Sequence, residues 1–195
     1  MSTPLRIAVP RGALLGDTLD VLDRLGIDTA EVRANDRKLL FEGPGIVTMR
    51  PSDVPTYVEA GAADLGITGK DVLVEQSERE VYELVDLGFG RCRMIVASVA
   101  GPDPAAEALR RLGLVRVATK YPKVAAAHYA ATGRQAEIVE VKGSVELAPL
   151  TGLVERETVF EATARLIANP VAHKLKAAAI DDLLARVRGA VRAPA

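Results

Sequence analysis

Short β-prone segments alternate with helical segments along this chain, and that alternation limits the possible folds more than any other feature. The segment LRIAVP is apolar and ends at Pro10. After it, leucines recur at helical spacing from Leu15 to Leu25, and Gly26 then predicts a helix end. Strand-helix units of this kind favour a parallel α/β sheet whose strand-end loops carry the functional site.

The alternation continues without an obvious linker. RKLLFEGPGIVTMR predicts two strands joined by a Gly-Pro-Gly turn, and ADLGITG predicts another strand with a helix starting after Gly69. A change of pattern at residues 88–94 marks a candidate crossover between two lobes. The C-terminal segment HKLKAAAIDDLLARVRGAV predicts one amphipathic helix with a shared apolar face. That face consists of Leu175, Ile180, Leu183, Leu184 and Val187.

Composition excludes several classes of function. The formal net charge is −1, which gives no support for a nucleic-acid partner. The only cysteine, Cys92, excludes an intramolecular disulfide, and its apolar surroundings predict a packed thiol. One cysteine and two separated histidines provide no zinc-ligand pattern. Without a signal sequence or an apolar stretch of about 20 residues, the chain is expected to be cytoplasmic, with no membrane partner.

Two strand-end loops carry basic residues. At the first, Gly12 would let a ligand approach the backbone, and Arg11 could offer a planar pair of donors to phosphate. An ordinary turn with a solvated arginine is the simpler alternative. At the second, Arg37 and Lys38 are adjacent, so only one of them would address a given cleft if the segment is extended. A solvated sheet edge is the alternative there.

The segment GAADLGITGKDVL is rich in small residues before a predicted helix. Gly69 and its neighbours leave backbone N–H groups accessible, which suits an anion held where Lys70 begins the helix. Asp64 lies earlier, where it is placed to cap or orient the strand. The Gly-x4-Gly-Lys-Ser/Thr pattern of a phosphate-binding loop is absent.

A further pair of strand ends adds polar and aromatic groups. Thr119 and Tyr121 follow one predicted strand, and Tyr121 is suited either to stack on a base or to pack in the core. Ser144 follows the next strand at a helix N-cap position, with Glu146 in the first turn of that helix.

Four ordered segments together carry a resemblance to a known family: DVPTYVEAGAADLGITGKDVL, VYELVDLGFGRCRMIVA, RVATKYP and GSVELAPLTGL. They resemble ATP phosphoribosyltransferase, in its short-form catalytic subunit, and the similarity spans nearly the whole chain. The resemblance implies an α/β, two-lobed fold of the periplasmic-binding-protein type II kind, with the active site in the interlobe cleft. Lobe I would comprise residues 1–90 plus about 163–195, and lobe II residues 91–162.

The resemblance also implies a reaction and partners. The family joins ATP and phosphoribosyl pyrophosphate to give phosphoribosyl-ATP and pyrophosphate, with Mg²⁺, as the first step of histidine biosynthesis. A chain that stops after the terminal helix is typical of the short form. The implied assembly is a homodimer that joins a regulatory subunit resembling histidyl-tRNA synthetase. The alternatives are a two-lobed protein that binds a small anion, or a catalytically inactive subunit.

Residue roles follow from the matching motifs. Arg37 and Glu146 would be catalytic, with Arg37 near pyrophosphate and Glu146 in the cleft. Ala13 stands where the family pattern often has arginine, so one phosphate contact is expected to be missing or replaced. The implied substrate-binding residues are Arg11, Gly12, Asp64, Gly69, Lys70, Thr119, Tyr121 and Ser144.

The chain departs from the family after Leu153. TGL is followed at once by VERETVFEATARLIAN, whereas the family continues through a strand and a Thr-Gly-x-Thr loop that binds the 5-phosphate. About 20 residues are therefore expected to be missing between Leu153 and Val154. An omission from the determined sequence, an engineered deletion and a natural deletion that yields an inactive subunit are the three explanations.

Overall fold

The chain divides into two compact units. A computed structural model describes residues 5–93, 95–98, 104–143, 145, 147–150, 156–157 and 161–192. Unit 1 comprises Met1–Arg91 and Ala162–Ala195, and unit 2 comprises Cys92–Glu161.

Unit 1 is built on a six-stranded mixed sheet. The first, third and fourth strands are parallel, whereas the strand that returns after unit 2 runs antiparallel to both of its neighbours. The predicted Gly-Pro-Gly turn joins an antiparallel pair. The strands are β1 (Ile7–Pro10), β2 (Leu40–Phe41), β3 (Ile46–Met49), β4 (Leu65–Gly69), β5 (Tyr82–Asp86) and β11 (Ala164–Ala168), in the spatial order β2-β3-β1-β4-β11-β5.

Helices cover both faces of this sheet because the strands are apolar on both faces. Ile7 and Val9 of β1 point into the larger core cluster, whereas Ala8 points into the smaller one. A 3₁₀ turn (Gly12–Leu14) leads into the first helix. The helices are α1 (Leu15–Arg24), α2 (Ala30–Ala34), α3 (Val54–Glu59), α4 (Lys70–Glu75), α8 (Pro170–Leu175) and α9 (Ala177–Arg192).

The predicted C-terminal amphipathic helix is in fact two helices. α8 ends at Leu175, and Lys176, with a non-helical conformation, separates it from α9. Ile180, Leu183 and Val187 are buried as predicted, but Leu175 is 80% exposed, so its place on the shared face was wrong. The Lys176 ammonium pairs with the Asp64 carboxylate at 2.8 Å. This ion pair connects the residue between α8 and α9 to the start of β4.

Unit 2 contains a three-stranded parallel sheet. Val117 in its central strand is fully buried, and Tyr129 of the following helix packs in the same cluster. The elements are β6 (Cys92–Arg93), α5 (Pro104–Leu112), β7 (Val115–Thr119), α6 (Pro122–Ala131), β8 (Ala136–Glu140), α7 (Leu147–Leu150), β9 (Arg156–Glu157) and, reaching the unit boundary, β10 (Glu161–Ala162). The strand order in the sheet is β8-β7-β9.

Short strands lie where the chain passes from one unit to the other. β6 and β10 form a separate two-stranded sheet. Cys92 lies in β6 and is exposed, so the expectation of a packed thiol was wrong. Cys92 and Arg93, the residues of β6 that the structure describes, are both exposed, so the apolar sequence context is not accompanied by burial there.

Candidate active site

The carboxyl ends of β1 and β3 meet at one edge of the unit 1 sheet. Pro10 is in register with Met49, and the Arg11 amide donates to the Met49 carbonyl at 2.8 Å. Gly12 follows with a φ of +81°, a left-handed conformation that favours glycine, and a Cβ there would have no atom within 4 Å. The backbone beside Gly12 is therefore open to an approaching ligand.

The guanidinium of Arg11 points into the protein. Its Nε donates to the Thr48 hydroxyl at 3.0 Å, and one Nη donates to the Lys38 carbonyl at 2.7 Å. The other Nη donates to the Asp36 carbonyl. Thr48 is 3% exposed, so this hydroxyl is an internal partner. The structure thus gives the predicted phosphate-binding group three acceptors within unit 1.

The loop that contains Arg37 is also restrained by hydrogen bonds to the Asn35 side chain. The Asn35 side-chain oxygen accepts hydrogen bonds from the amides of Arg37 at 3.2 Å and Lys38 at 3.0 Å, as in an Asx turn. Lys38 forms an ion pair with Glu31. Arg37 itself is exposed, and within the part of the chain that the structure describes its side chain has no hydrogen-bonding or ionic partner.

The loop after β4 is held by contacts with Thr163 and with β5. The Lys70 amide donates to the Thr163 carbonyl at 2.8 Å, and its ammonium pairs with Glu83 at 2.5 Å. The Asp71 carboxylate lies over Gly69, where it occupies the space of a Cβ. The turn therefore has a carboxylate beside it and one amide that is already bonded within the unit.

Sequence reasoning missed an ionic cluster beside this loop. Arg165 of β11 pairs with Glu83 at 2.8 Å and with Asp86, both in β5, and donates to the Thr163 hydroxyl at 2.7 Å. Burial raises the pKa of Asp86, but hydrogen bonds from the Gly88 amide, Arg165 and Thr163 outweigh it and hold that pKa below its ordinary value. Only the antiparallel return of β11 brings these groups together, so no local sequence signal was available.

Asp64 lies at the other end of the sheet. It immediately precedes β4, and its carboxylate accepts from the Arg6 amide at 2.8 Å while pairing with Lys176. Gly69 is at the opposite end of β4, five residues further along, which is roughly 16 Å away for an extended strand. The structure therefore does not bring Asp64 together with Arg11 or Gly69. The contacts of Asp64 are those of a residue that orients the strand.

In unit 2, Thr119 and Tyr121 lie at the carboxyl end of β7. The Thr119 hydroxyl accepts from the Tyr121 amide at 3.0 Å, and the Thr119 carbonyl accepts from the Val141 amide at 2.9 Å. The ends of β7 and β8 are thus joined, with Tyr121 half-buried at the start of α6. Ser144 and Glu146, the other two predicted residues of this unit, lie outside the described residues.

Neither a protein-built metal site nor a membrane span is found in the described ranges. Within them, no group of three or more histidine, cysteine, aspartate or glutamate residues could hold a metal ion. Over the same ranges, no helix is long and apolar enough to cross a membrane.

Comparisons with known proteins agree over most of the chain. The family model for ATP phosphoribosyltransferase matches residues 50–156, more than half of the sequence. The ATP phosphoribosyltransferase of Rubrobacter xylanophilus is 46% identical over 205 residues, covering 94% of both chains. That of Sorangium cellulosum is 43% identical over 213 residues, covering 97% of both.

Solved structures give the fold. The ATP phosphoribosyl transferase (HisG:HisZ) complex from Thermotoga maritima matches with a TM-score of 0.78 and 28% identity, covering 96% of this chain and 98% of that one. The periplasmic aliphatic sulphonate binding protein SsuA from Escherichia coli matches with a TM-score of 0.54 and 14% identity, covering 97% of this chain and 69% of that one. This second likeness concerns the fold alone.

The α/β fold with two units is therefore that of the type II periplasmic-binding-protein class, which confirms the predicted fold class. Within that class, the chain belongs to the ATP phosphoribosyltransferase family. The span matched in the Sorangium relative, 213 residues, exceeds the 195 residues of this chain. That relative therefore contains residues with no counterpart here.

Proposed function

We propose that this chain is a short-form catalytic subunit that joins ATP and phosphoribosyl pyrophosphate to give phosphoribosyl-ATP and pyrophosphate, the first step of histidine biosynthesis. The observation that carries the proposal is the 46% identity to the Rubrobacter enzyme over 94% of both chains. In the reaction, an adenine ring nitrogen bonds to the anomeric carbon of the ribose. The bond from that carbon to pyrophosphate breaks, and its electron pair leaves with pyrophosphate.

The chemistry asks for a fixed cation where the pyrophosphate charge develops. Arg37 suits this role because its backbone is held by Asn35 while its guanidinium is exposed. A guanidinium offers paired N–H donors that match phosphate oxygens. The open backbone at Gly12 lies at the end of β1, two positions from β2 in the same sheet, and would admit a phosphate group.

For the adenine ring, Tyr121 is the proposed contact. It is half-buried, and its amide is fixed by Thr119, so the start of α6 has a defined position. The ring nitrogen of adenine is already nucleophilic, so orientation of the two substrates contributes more than a strong protein base would. Ser144 and Glu146 keep their proposed substrate-binding and catalytic roles from the resemblance.

Magnesium is the proposed metal. The described residues contain no metal-binding cluster of their own, which fits an ion that is carried mainly by the phosphate oxygens of the substrates. When bound, Mg²⁺ would neutralise charge on the leaving pyrophosphate. We further propose a cytoplasmic homodimer that joins a regulatory subunit resembling histidyl-tRNA synthetase, by analogy with the partner named for the Thermotoga complex.

A second candidate, an inactive subunit or a protein that binds small anions, is favoured by one observation. Relatives contain residues that this chain lacks, and the predicted position of the gap follows Leu153, where the family has its 5-phosphate loop.

A turnover assay separates the two candidates. The purified chain is incubated with ATP, phosphoribosyl pyrophosphate and Mg²⁺, with and without the regulatory subunit, and both products are quantified. Formation of phosphoribosyl-ATP and pyrophosphate in equal amounts, dependent on both substrates, is expected. Binding of either substrate without turnover in every combination would instead favour the second candidate.

A further inference from the structure

At the carboxyl end of β1, the Arg11 guanidinium donates hydrogen bonds to the Thr48 hydroxyl and to the carbonyls of Asp36 and Lys38. We infer that Arg11 is a positioning residue that holds the Arg37 loop in place, and that it acts on the reaction through that loop. This inference rests on the proposed function for its catalytic consequence. The clamp, meaning the hydrogen bonds from Arg11 to Thr48, Asp36 and Lys38, is itself a property of the fold.

The geometry of the clamp is specific. Arg11 extends from the end of β1, passes Thr48 on β3 and reaches the loop before β2, which matches the order β2-β3-β1 in the sheet. The two carbonyls that it binds belong to Asp36 and Lys38, the residues on either side of Arg37. Arg37 is therefore held on both sides by one guanidinium.

Asn35 adds a second restraint to the same loop. Its side-chain oxygen accepts from the Arg37 and Lys38 amides, so the carbonyls are held by Arg11 and the amides by Asn35. A loop with both sets of backbone groups bonded has few alternative conformations. The Arg37 side chain, which has no partner of its own among the described residues, is the group that this arrangement presents to solvent.

The contacts of Arg11 distinguish positioning from direct phosphate binding. A guanidinium has five N–H donors, and three protein acceptors already use donors on all three nitrogens. An arginine that turned toward a ligand would lose three hydrogen bonds, and one of the acceptors, the Thr48 hydroxyl, is buried, so leaving it without this partner is unfavourable. Holding the loop is the role that needs no such rearrangement.

The test combines hydrogen exchange with kinetics in the full chain. Arg11→Met removes every side-chain donor at similar length. Thr48→Val removes a buried hydroxyl that accepts from Arg11 and donates to the Lys38 carbonyl at 3.5 Å. Exchange of the Arg37 and Lys38 amides is expected to accelerate about 10- to 100-fold in Arg11→Met, corresponding to the loss of charged hydrogen bonds. Thr48→Val should give a smaller acceleration, whereas Thr48→Ser, which keeps the hydroxyl, should retain slow exchange.

Steady-state kinetics then test whether Arg11 acts on the reaction through Arg37. We expect kcat/KM for phosphoribosyl pyrophosphate to fall about 100-fold in Arg11→Met, as for a misplaced contact. The double variant Arg11→Met, Arg37→Ala should lose about as much kcat/KM as whichever single variant loses more, because the effects of coupled residues are not additive. Arg24→Met is the matched control, because Arg24 is exposed on α1 and, among the described residues, makes a single long hydrogen bond, to the Ala190 carbonyl at 3.5 Å.

Unchanged exchange in both Arg11→Met and Thr48→Val, or multiplicative losses in the double variant, would overturn the inference. If Arg11→Met does not fold, amide exchange and kcat/KM of the Thr48→Val and Thr48→Ser variants decide whether the inference holds. If the unmodified chain shows no turnover, the proposed function fails. The exchange data then still decide whether Arg11 holds the loop.

Discussion

At the scale of single residues, two arginines near the same sheet edge have opposite environments. The family resemblance implied a phosphate contact for both, whereas residue type and position alone left a solvated arginine as the alternative in each case. The structure bonds Arg11 to three acceptors of unit 1 and leaves Arg37 exposed. Sequence could not separate them, because the distinction depends on Thr48 and on the loop before β2, which are distant in the chain.

Replacing Arg37 by alanine should lower kcat/KM for phosphoribosyl pyrophosphate about 100-fold. The physical reason is the loss of a positioned cation near the developing pyrophosphate charge. Steady-state kinetics at saturating ATP measure the effect, and thermal unfolding should be nearly unchanged because Arg37 is exposed. Unchanged kinetics would remove Arg37 from the site.

Asp64 allows a test that separates structure from catalysis. Asp64→Ala should lower the free energy of unfolding by about 1.5–3 kcal/mol, because the Arg6 amide and the Lys176 ammonium lose a charged acceptor. The turnover of the folded variant should remain near that of the unmodified chain. Urea unfolding and kinetics are measured together. Asp182→Ala, in an exposed pair with Arg186 at 3.5 Å, should cost well under about 1 kcal/mol.

At the scale of elements, the contact of α3 with β4 depends on a small residue. A Cβ on Gly66 would lie 2.6 Å from Val54 Cγ1 and 2.7 Å from Val58 Cγ2, both fully buried. In the sequence, Gly66 is only one of several small residues in its strand. Its packing role became visible only when the helix was placed on the sheet.

Gly66→Ala should therefore lower the free energy of unfolding by about 1–3 kcal/mol through overpacking. Gly16→Ala is the matched control, because Gly16 lies in α1 and a Cβ there meets no atom within 4 Å. That control should stabilise the protein by about 0.4–1 kcal/mol. Urea unfolding of both variants measures the difference, and equal effects would contradict the close packing of α3 on β4.

The pairing of β5 with β11 should make stability dependent on pH in acid. The pKa of Asp86 in the folded state lies below its ordinary value of 3.8, so the unfolded chain binds the proton more tightly. The contribution is complete above the ordinary pKa of 3.8 and is lost as pH falls through the lower folded-state pKa. In Asp86→Asn, unfolding free energy should be lower at neutral pH and should fall less steeply in acid.

Urea unfolding from neutral pH to about pH 2 measures this dependence. A residual slope is expected in the variant, because the pKa of Asp23 is lowered by hydrogen bonds from Thr29 and Arg33. The Glu80 amide and Arg79 likewise lower the pKa of Glu59. An acid slope identical to that of the unmodified chain would show that Asp86 contributes nothing to it.

At the scale of the whole molecule, the gap expected after Leu153 allows a direct test of the proposed reaction. Inserting after Leu153 the residues of the Rubrobacter enzyme that have no counterpart in this chain should raise kcat/KM for phosphoribosyl pyrophosphate, by about 10-fold or more if they restore phosphate contacts. A Gly/Ser insertion of equal length is the control. Equal activities in the two insertions and the unmodified chain would show that the gap does not limit the reaction.

Sequence by itself determined the alternation of strands and helices, the apolar faces and the family. Local periodicity and ordered motifs carry that information, so β1, β3, β4, β7 and β8 appear where they were predicted. Only the tertiary structure decided that β11 returns antiparallel, that the last helix breaks at Lys176, that Asp64 lies at the far end of the sheet and that Arg11 turns inward. Each of these depends on partners far apart in the chain, and local spacing cannot specify which of several acceptors a long charged side chain will reach.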